Sequence, residues 1–263
     1  SQRRLSASLS LPPDRGANIP TTLNPDRALS RGEIPSMNPA LVVLSGGQDS
    51  TTCLYWALDR FGAGQVEAIT FDYGQRHRIE LDCAARIAAR AGVPHAVLPI
   101  DTFAALGGSA LTDPGITVQA GVDARTQLPA TFVPGRNLIF LTFAAAFAYP
   151  RGIHDLVTGV AQTDYSCYPD CRQTTLQVLE QAIRLGMEYE ITIHTPLMFK
   201  SKAETVWMAR DLGALPALAD SHTCYNGLQP PCGVCPACQL RAKGFAEAGI
   251  PDPLLERFRE PAP

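Results

Sequence analysis

The sequence lacks any hydrophobic run long enough to cross a membrane. Its longest apolar stretch, residues 137–150, is shorter than the about 20 residues that a spanning helix needs, and it ends at a proline. Charge is also modest, since charged residues make up 18% of the chain and the net charge is −3. A chain of this balance is not, as a whole, a basic nucleic-acid binder. We therefore expect neither a membrane nor a nucleic acid as partner.

A secretory signal is also missing, because the first residues contain neither an apolar core segment nor a small-residue cleavage site. We therefore expect a cytoplasmic protein whose eight cysteines are reduced, since disulfides seldom persist in that compartment. Residues 1–36 are rich in arginine, serine and proline without an amphipathic period, so they are predicted to form a disordered extension. An organelle transit peptide is the alternative interpretation of this segment.

Strand-like and helix-like segments alternate from residue 40 onward. The predicted strands are 41–44, 66–71, 95–100, 154–160 and 191–196, and the predicted helices are 50–61, 77–91, 136–149, 172–186 and 202–212. This alternation predicts an α/β fold with a doubly wound, parallel, five-stranded sheet. Ligands of such sheets bind beyond the carboxyl ends of the strands, where the strand order reverses. We expect a nucleotide-binding domain over residues 37–220 and a C-terminal zinc-binding region of helix and loop over 221–263.

A glycine turn follows the first predicted strand, with the sequence Ser45-Gly46-Gly47-Gln48-Asp49-Ser50-Thr51-Thr52. Amides at the start of the next helix would face an anion there, because a helix N-terminus carries partial positive charge. No lysine follows the glycines, so this is not the common G-x-x-x-x-G-K-[ST] nucleotide loop. Asp49 would repel a phosphate, and a Mg²⁺ ion between them resolves the conflict. A plain helix cap is the alternative interpretation.

Four of the cysteines crowd into one short segment near the end of the sequence. They are Cys224, Cys232, Cys235 and Cys238. Four thiolates are the preferred ligands of a structural zinc ion, and a closed site of this kind leaves no position for catalysis. An iron–sulfur cluster takes the same ligands and is the alternative. Elsewhere, Cys53 and Cys83 are expected to be small core residues.

The motif S-G-G-x-D-S after a strand resembles the signature of the PP-loop ATP pyrophosphatases. That resemblance implies binding of ATP, transfer of AMP to a substrate oxygen and release of pyrophosphate. Over residues 41–249 the chain also resembles the 7-cyano-7-deazaguanine synthases of the queuosine pathway. The segments that carry this likeness are FDYGQRHRIEL, TFVPGRNLIFL, TGVAQTDYSCYPDCR, HTPLMFKSKAET and TCYNG with CGVCPACQLRAKGF. Cys167 departs from the pattern, because that family commonly has glycine there.

The resemblance implies a ligase that makes 7-cyano-7-deazaguanine from 7-carboxy-7-deazaguanine and ammonia, with ATP and Mg²⁺ at the loop. It also implies the Rossmann-like fold of the adenine-nucleotide alpha hydrolases, Zn²⁺ on the four cysteines and a homodimer. Two adenylations are expected, one on the acid and one on the amide, because two oxygens must leave. The nucleotide contacts implied are Leu44, Ser45, Gly46, Gly47, Gln48, Asp49, Ser50, Thr51, Thr52, Cys53 and Leu54.

Catalytic roles are expected for Asp49, Ser45, Ser50, Arg136 and Lys202. Arg136 would pair with a phosphate or the substrate carboxylate, and Lys202 would neutralise a phosphate. Surface positions at helix starts are the alternatives for both. Substrate contacts are expected from a second set, namely Arg76, His77, Asp164, Tyr168, Asp170 and Arg172. A carboxylate of this set would accept from the guanine-like N1–H and amino group, whereas an Asp-Pro turn and a capping histidine are the structural alternatives.

Other functions fit parts of the pattern. A PP-loop enzyme that modifies tRNA, for example by thiolation, would need a basic RNA-binding surface that this acidic chain does not predict. A deazapurine-modifying homologue in DNA modification or defence would share the same motifs. A zinc-ribbon interaction protein with a vestigial nucleotide fold is disfavoured by the intact S-G-G-x-D-S motif.

Overall fold

The structure, a computed structural model, describes residues 38–75, 77–103, 109–112, 115–116, 122, 128–163 and 168–259. The predicted extension 1–36 lies outside the described residues, and so do two predicted substrate contacts, Arg76 and Asp164, and the unusual Cys167. Among the helices that the structure describes, none combines the length and the apolar character needed to cross a bilayer.

A parallel sheet forms the centre of the described fold. Its strands are β1 (Ala40–Val43), β2 (Val66–Asp72), β3 (His95–Pro99), β4 (Asp155–Val157) and β5 (Thr192–His194). Their order across the five-stranded sheet is β3-β2-β1-β4-β5, and every pairing is parallel. The strand order therefore reverses at β1, which lies between β2 and β4. The predicted doubly wound, five-stranded sheet is confirmed.

Helices connect the strands and cover both faces of the sheet. They are α1 (Gln48–Phe61), α2 (Ile79–Ala91), α3 (Arg136–Ala148), α4 (Gln173–Met187), α5 (Lys202–Asp211), α6 (Leu215–Leu218), α7 (Pro236–Ala248) and α8 (Pro253–Glu256). The first five match predicted helices with ends that differ by one or two residues. The last three were not predicted as separate helices.

Strand β1 shows why both faces must be covered. Successive strand side chains point to opposite faces, and Ala40 and Val42 pack in one apolar cluster with α1 and α2, whereas Leu41 packs in another with α3. All three side chains are fully buried. A strand that is buried on both faces is typical of parallel sheets. Because β1 is the central strand, its carboxyl end lies in the middle of the carboxyl edge of the sheet.

The C-terminal region packs on the sheet domain through α7, which contacts α5. Cys235 is the N-cap residue of α7, and Pro236 occupies the first helical position, where its fixed φ suits a helix start. The described residues on both sides of position 220 belong to one compact unit. Cysteines near the start of α7 are thus held beside the nucleotide-binding fold.

Candidate active site

The loop between β1 and α1 lies at the carboxyl edge of the sheet, where the strand order reverses. Gly46 has a φ of 81°, in the left-handed region that favours glycine. A Cβ atom at this position would collide with the backbone carbonyl oxygen of Glu80 in α2. Only glycine therefore lets the loop lie this close to α2.

Hydroxyl groups fix the shape of the loop. The Oγ atoms of Ser45 and Ser50 lie 3.1 Å apart, and the Ser45 backbone N–H donates to Ser50 Oγ at 3.2 Å. Thr51 Oγ1 donates to the Gly47 carbonyl at 2.7 Å. Thr52 Oγ1 likewise donates to the carbonyl of Gln48 at 3.0 Å. These bonds hold the first turn of α1 in a single arrangement.

Two polar atoms of the loop are buried without a hydrogen-bond partner in the described part of the chain. They are the Nε2 of Gln48 and the Oδ1 of Asp49. Leaving such a group unsatisfied costs about 1–3 kcal/mol, so these atoms point to a ligand that would complete their bonds. The Asp49 oxygen suits a cation, and the Gln48 amide suits an acceptor such as a phosphate.

Asp49 and Lys202 form an ion pair across the loop. The Lys202 Nζ lies 2.6 Å from Asp49 Oδ2, and the lysine side chain is 11% exposed. Lys202 opens α5, whose N-cap Ser201 forms a capping box with Glu204. Gly159, after β4, lies against the same turn, since a Cβ atom there would be 2.8 Å from the Ser50 backbone nitrogen. The end of β4 and the starts of α1 and α5 therefore meet at the loop.

A cavity of about 650 Å³ opens from the loop, within the range of small-molecule sites. Its lining joins the loop to α3, to the start of α2 and to the C-terminal region. The predicted residues among its walls are Leu44, Ser45, Gly47, Gln48, Asp49, Ser50, His77, Arg136, Tyr168 and Lys202. The structure thus brings the five predicted catalytic residues to one cavity.

A cluster of Arg136 and three tyrosines forms part of the cavity wall. Burial by itself would lower the pKa of the Arg136 guanidinium, but Tyr73, Tyr168, Tyr225 and Asp170 raise it, so the group stays charged. Burial raises the pKa of Tyr73 to about 12, although the guanidinium hydrogen-bonds to its hydroxyl. The guanidinium therefore stays a cation in the cavity wall, where an anionic ligand can pair with it.

Glu80, in the first turn of α2, is a carboxyl group that faces the same cavity. Burial raises its pKa to about 7, and the nearby Arg136 opposes part of that shift. The group therefore changes charge near neutral pH. Sequence patterns did not single out Glu80, although it lies in the segment FDYGQRHRIEL that carries the family resemblance.

The remaining predicted substrate residues have other positions. The buried Asp170 carboxylate accepts from the backbone N–H of Asn137 at 3.0 Å and so caps the start of α3. Arg172 is exposed and precedes α4. Neither residue is among the described residues that line the cavity. Tyr168 does line it, with its hydroxyl 2.6 Å from Thr131 Oγ1.

Two of the predicted nucleotide contacts belong to the core of α1. Cys53 and Leu54 are fully buried, and the Cys53 thiol donates to the Thr158 carbonyl at 3.6 Å. Burial raises the pKa of this thiol well above its ordinary value. Cys83, in α2, is also fully buried. The thiols at these positions act as small packing groups.

The four C-terminal cysteines form a cluster with the chemistry of a metal site. The Sγ atoms of Cys224, Cys232, Cys235 and Cys238 all lie within 4.8 Å of one another. Burial opposes ionisation of Cys232, but the backbone N–H groups of Val234 and Cys235 lower its pKa to about 6. A ready thiolate among four convergent sulfurs fits a soft metal ion such as zinc.

The loop at the switch point, its Asp–Lys pair and the adjoining cavity have the arrangement expected from the resemblance of the S-G-G-x-D-S motif to the PP-loop class. A family model described as "Queuosine biosynthesis protein QueC" matches residues 39–249. The chain therefore belongs to the QueC family, and the resemblance predicted from the motifs is confirmed.

Relatives of known name align with this chain over nearly the whole of their own length. A 7-cyano-7-deazaguanine synthase from Chromobacterium violaceum is 72% identical over 223 residues, which is 85% of this chain and 95% of that protein. One from Laribacter hongkongensis is 71% identical over 219 residues, or 83% of this chain and 95% of that protein. Among solved structures, NMN synthetase from Francisella tularensis matches with a TM-score of 0.45 and 13% identity, over 86% of this chain and 79% of that one.

Proposed function

We propose that this protein converts 7-carboxy-7-deazaguanine and ammonia into 7-cyano-7-deazaguanine at the expense of ATP. The observation that carries the proposal is a single cavity that joins the loop after β1 to a wall with the Arg136 cation and the Glu80 carboxyl group. A nucleotide triphosphate suits the loop, and a small base with a carboxylate suits the wall. The names of the highly identical relatives support the same reaction.

Two adenylations account for the chemistry. The substrate carboxylate attacks the α-phosphate of ATP, pyrophosphate leaves, and ammonia then displaces AMP to give the amide. The amide oxygen attacks a second ATP, again with loss of pyrophosphate. Loss of AMP and of the remaining N–H protons leaves the nitrile. Each oxygen of the acid therefore departs on AMP, which is a far better leaving group than hydroxide.

The loop residues would hold the triphosphate. Amides at the start of α1 would face the triphosphate, and Lys202 would balance its charge. The buried Oδ1 of Asp49 fits a Mg²⁺ ion, which would supply charge neutralisation for pyrophosphate as it leaves. Ser45 and Ser50 would orient the loop toward the α-phosphate through the hydrogen bonds that they share.

The α2–α3 side of the cavity would hold the deazaguanine. The planar guanidinium of Arg136 suits the substrate carboxylate or the acyl phosphate that replaces it. Ionised Glu80 would accept from the N1–H and the exocyclic amino group of the base. That role was expected for a carboxylate such as Asp170, but the Asp170 carboxylate already accepts the Asn137 N–H. Tyr168 and His77 would form further walls of this part of the cavity.

Product analysis tests the reaction. Protein mixed with 7-carboxy-7-deazaguanine, ammonium and Mg-ATP should yield the nitrile, with two AMP and two pyrophosphate for each nitrile by mass spectrometry. The amide supplied with ATP should give the nitrile with a single AMP. ADP with phosphate would contradict adenylation, and no nitrile from the amide would exclude it as the intermediate.

Glu80→Gln tests the recognition of the base. The pKa of about 7 places ionisation of Glu80 near neutrality, so the substrate KM of the unaltered protein should fall as pH rises through 7. At pH 8 the KM of the variant should be about tenfold or more above that of the unaltered protein, because a charged hydrogen bond is lost. The change of KM near pH 7 should be absent from the variant. Asp82→Asn, which removes an exposed charge from the same helix, is the control. An unchanged KM profile in Glu80→Gln would exclude this role.

We also propose that the protein acts as a cytoplasmic homodimer with Zn²⁺ on its four cysteines. Support for the dimer comes from α3, where the 41% exposed Phe143 lies beside the half-buried Leu138 and Ile139 in a small surface pocket. An apolar patch of this kind is typical of a protein contact. Light scattering that gives the mass of one chain would contradict the dimer.

A further inference from the structure

The segment that leads into the cysteine cluster contacts the phosphate-binding loop directly. The backbone N–H of His222 donates to the carbonyl oxygen of Gly46 at 2.8 Å, and His222 is 2% exposed. Its ring Nε2 lies 2.9 Å from the carbonyl oxygen of Cys224. One buried residue is therefore bonded both to the loop and to the first cysteine of the cluster.

Arg241 in α7 holds the residues on either side of that histidine. Its Nη1 donates to Ser221 Oγ at 2.8 Å and to Thr223 Oγ1 at 3.0 Å. The same guanidinium makes two bonds, of 2.7 and 2.8 Å, to the buried carboxylate of Asp252. Arg241 follows the last cysteine of the cluster by less than one helical turn. The cysteine cluster, α7 and the segment at the loop thus form one bonded unit.

Two glycines, which have no side chain, allow this unit to pack closely against two predicted site residues. A Cβ atom at Gly244, on α7, would lie 2.7 Å from Lys202 Cβ. The Lys202 ammonium in turn pairs with Asp49 in the loop. Gly227, between the cysteines, has a φ of 68° and lies so close to the His77 ring that a Cβ atom would collide with it. The cysteine region therefore contacts the cavity at the loop, at α5 and beside α2.

We propose that the cysteine region is a positioning element for the ATP site. The four-thiolate cluster fixes the start of α7, and α7 sets the positions of Lys202 and of the segment that bonds Gly46. Cys224, Cys235 and Cys238 form the buried core of the 224–238 segment, with Cys232 packed against it, so a metal ion held by the four sulfurs would fix the shape of this segment. The inference rests on the proposed function, since it takes the loop as the ATP site and the cluster as a metal site.

Gly244→Ala tests this inference while all four cysteines stay in place. The added methyl group would displace Lys202, so the Kd for Mg²⁺ with α,β-methylene ATP should rise about tenfold or more by calorimetry. Zinc content and far-UV circular dichroism should match those of the unaltered protein. The KM for ATP should rise more than kcat falls. Gly186→Ala is the matched control, because this helical glycine has no atom within 4 Å of an added Cβ, and its nucleotide Kd should be unchanged.

Ser221→Ala is a second variant that touches neither cysteine nor cavity. Ser221 is fully buried and accepts from Arg241, so its loss should loosen the segment at Gly46 and raise the nucleotide Kd with zinc retained. Unaltered nucleotide affinity in both variants, at full zinc content, would overturn the positioning role. Failure of the unaltered, zinc-loaded protein to bind nucleotide would instead overturn the proposed function.

Discussion

Asp49→Asn should reduce turnover by about a thousandfold or more, the scale expected when a charge-stabilising group is lost from an active site. The Asp49 carboxylate is 2.6 Å from the Lys202 ammonium through Oδ2, and its Oδ1 is buried without a partner among the described residues. Asparagine keeps the shape but removes the charge. The loop then offers no anionic ligand to Mg²⁺, and Lys202 loses its counter-ion.

The measurement is the release of AMP and pyrophosphate from the acid and from the amide. Both half-reactions should fail together, because one loop serves both adenylations. Zinc content should not change, since Asp49 is not part of the cysteine cluster. Asp59→Asn removes the same charge from an exposed position on the same helix and should keep full activity. Turnover of Asp49→Asn near that of the control would contradict the assigned role.

Most of the fold could be predicted because its elements follow from local patterns. The apolar run before Ser45 predicts β1, and the glycine turn predicts the start of α1, which the structure places at Gln48. Helix α3 was predicted at 136–149 and spans Arg136–Ala148. In each case the side chains of one short segment determine whether that segment forms a strand or a helix, so contacts with residues distant in the sequence have little influence on it.

The site was less predictable where a residue's partner is distant in the chain. Asp170 was expected among the substrate contacts, but its carboxylate caps α3 through Asn137, which lies 33 positions away. Glu80 lies at the cavity only because α2 packs behind the glycine turn, a contact that no local pattern contains. Helix α7 was not predicted as a helix of its own because Cys238, Gly244 and the buried Arg241 interrupt the apolar period.

Cys235→Ser should lose zinc and most of the soluble protein together. Cys235 is 4% exposed, donates its backbone N–H to Cys232 Sγ at 3.4 Å and begins α7. A serine hydroxyl is a poor ligand for zinc, and three thiolates cannot close the tetrahedral site. Structural zinc contributes about 10–16 kcal/mol in small zinc peptides, which is comparable to the about 5–15 kcal/mol that stabilises a whole domain.

Cys83→Ser provides the matched control for this loss. Cys83 is also a buried thiol, but it lies in α2 away from the cluster, and Arg86 Nη2 donates to its sulfur at 3.1 Å. A serine there can accept the same bond, so zinc content should stay complete and the protein should remain soluble. Elemental analysis and soluble yield measure both variants. A Cys235→Ser protein that keeps its full soluble yield and its fold without zinc would contradict a structural metal, because the fold would then not depend on the cluster.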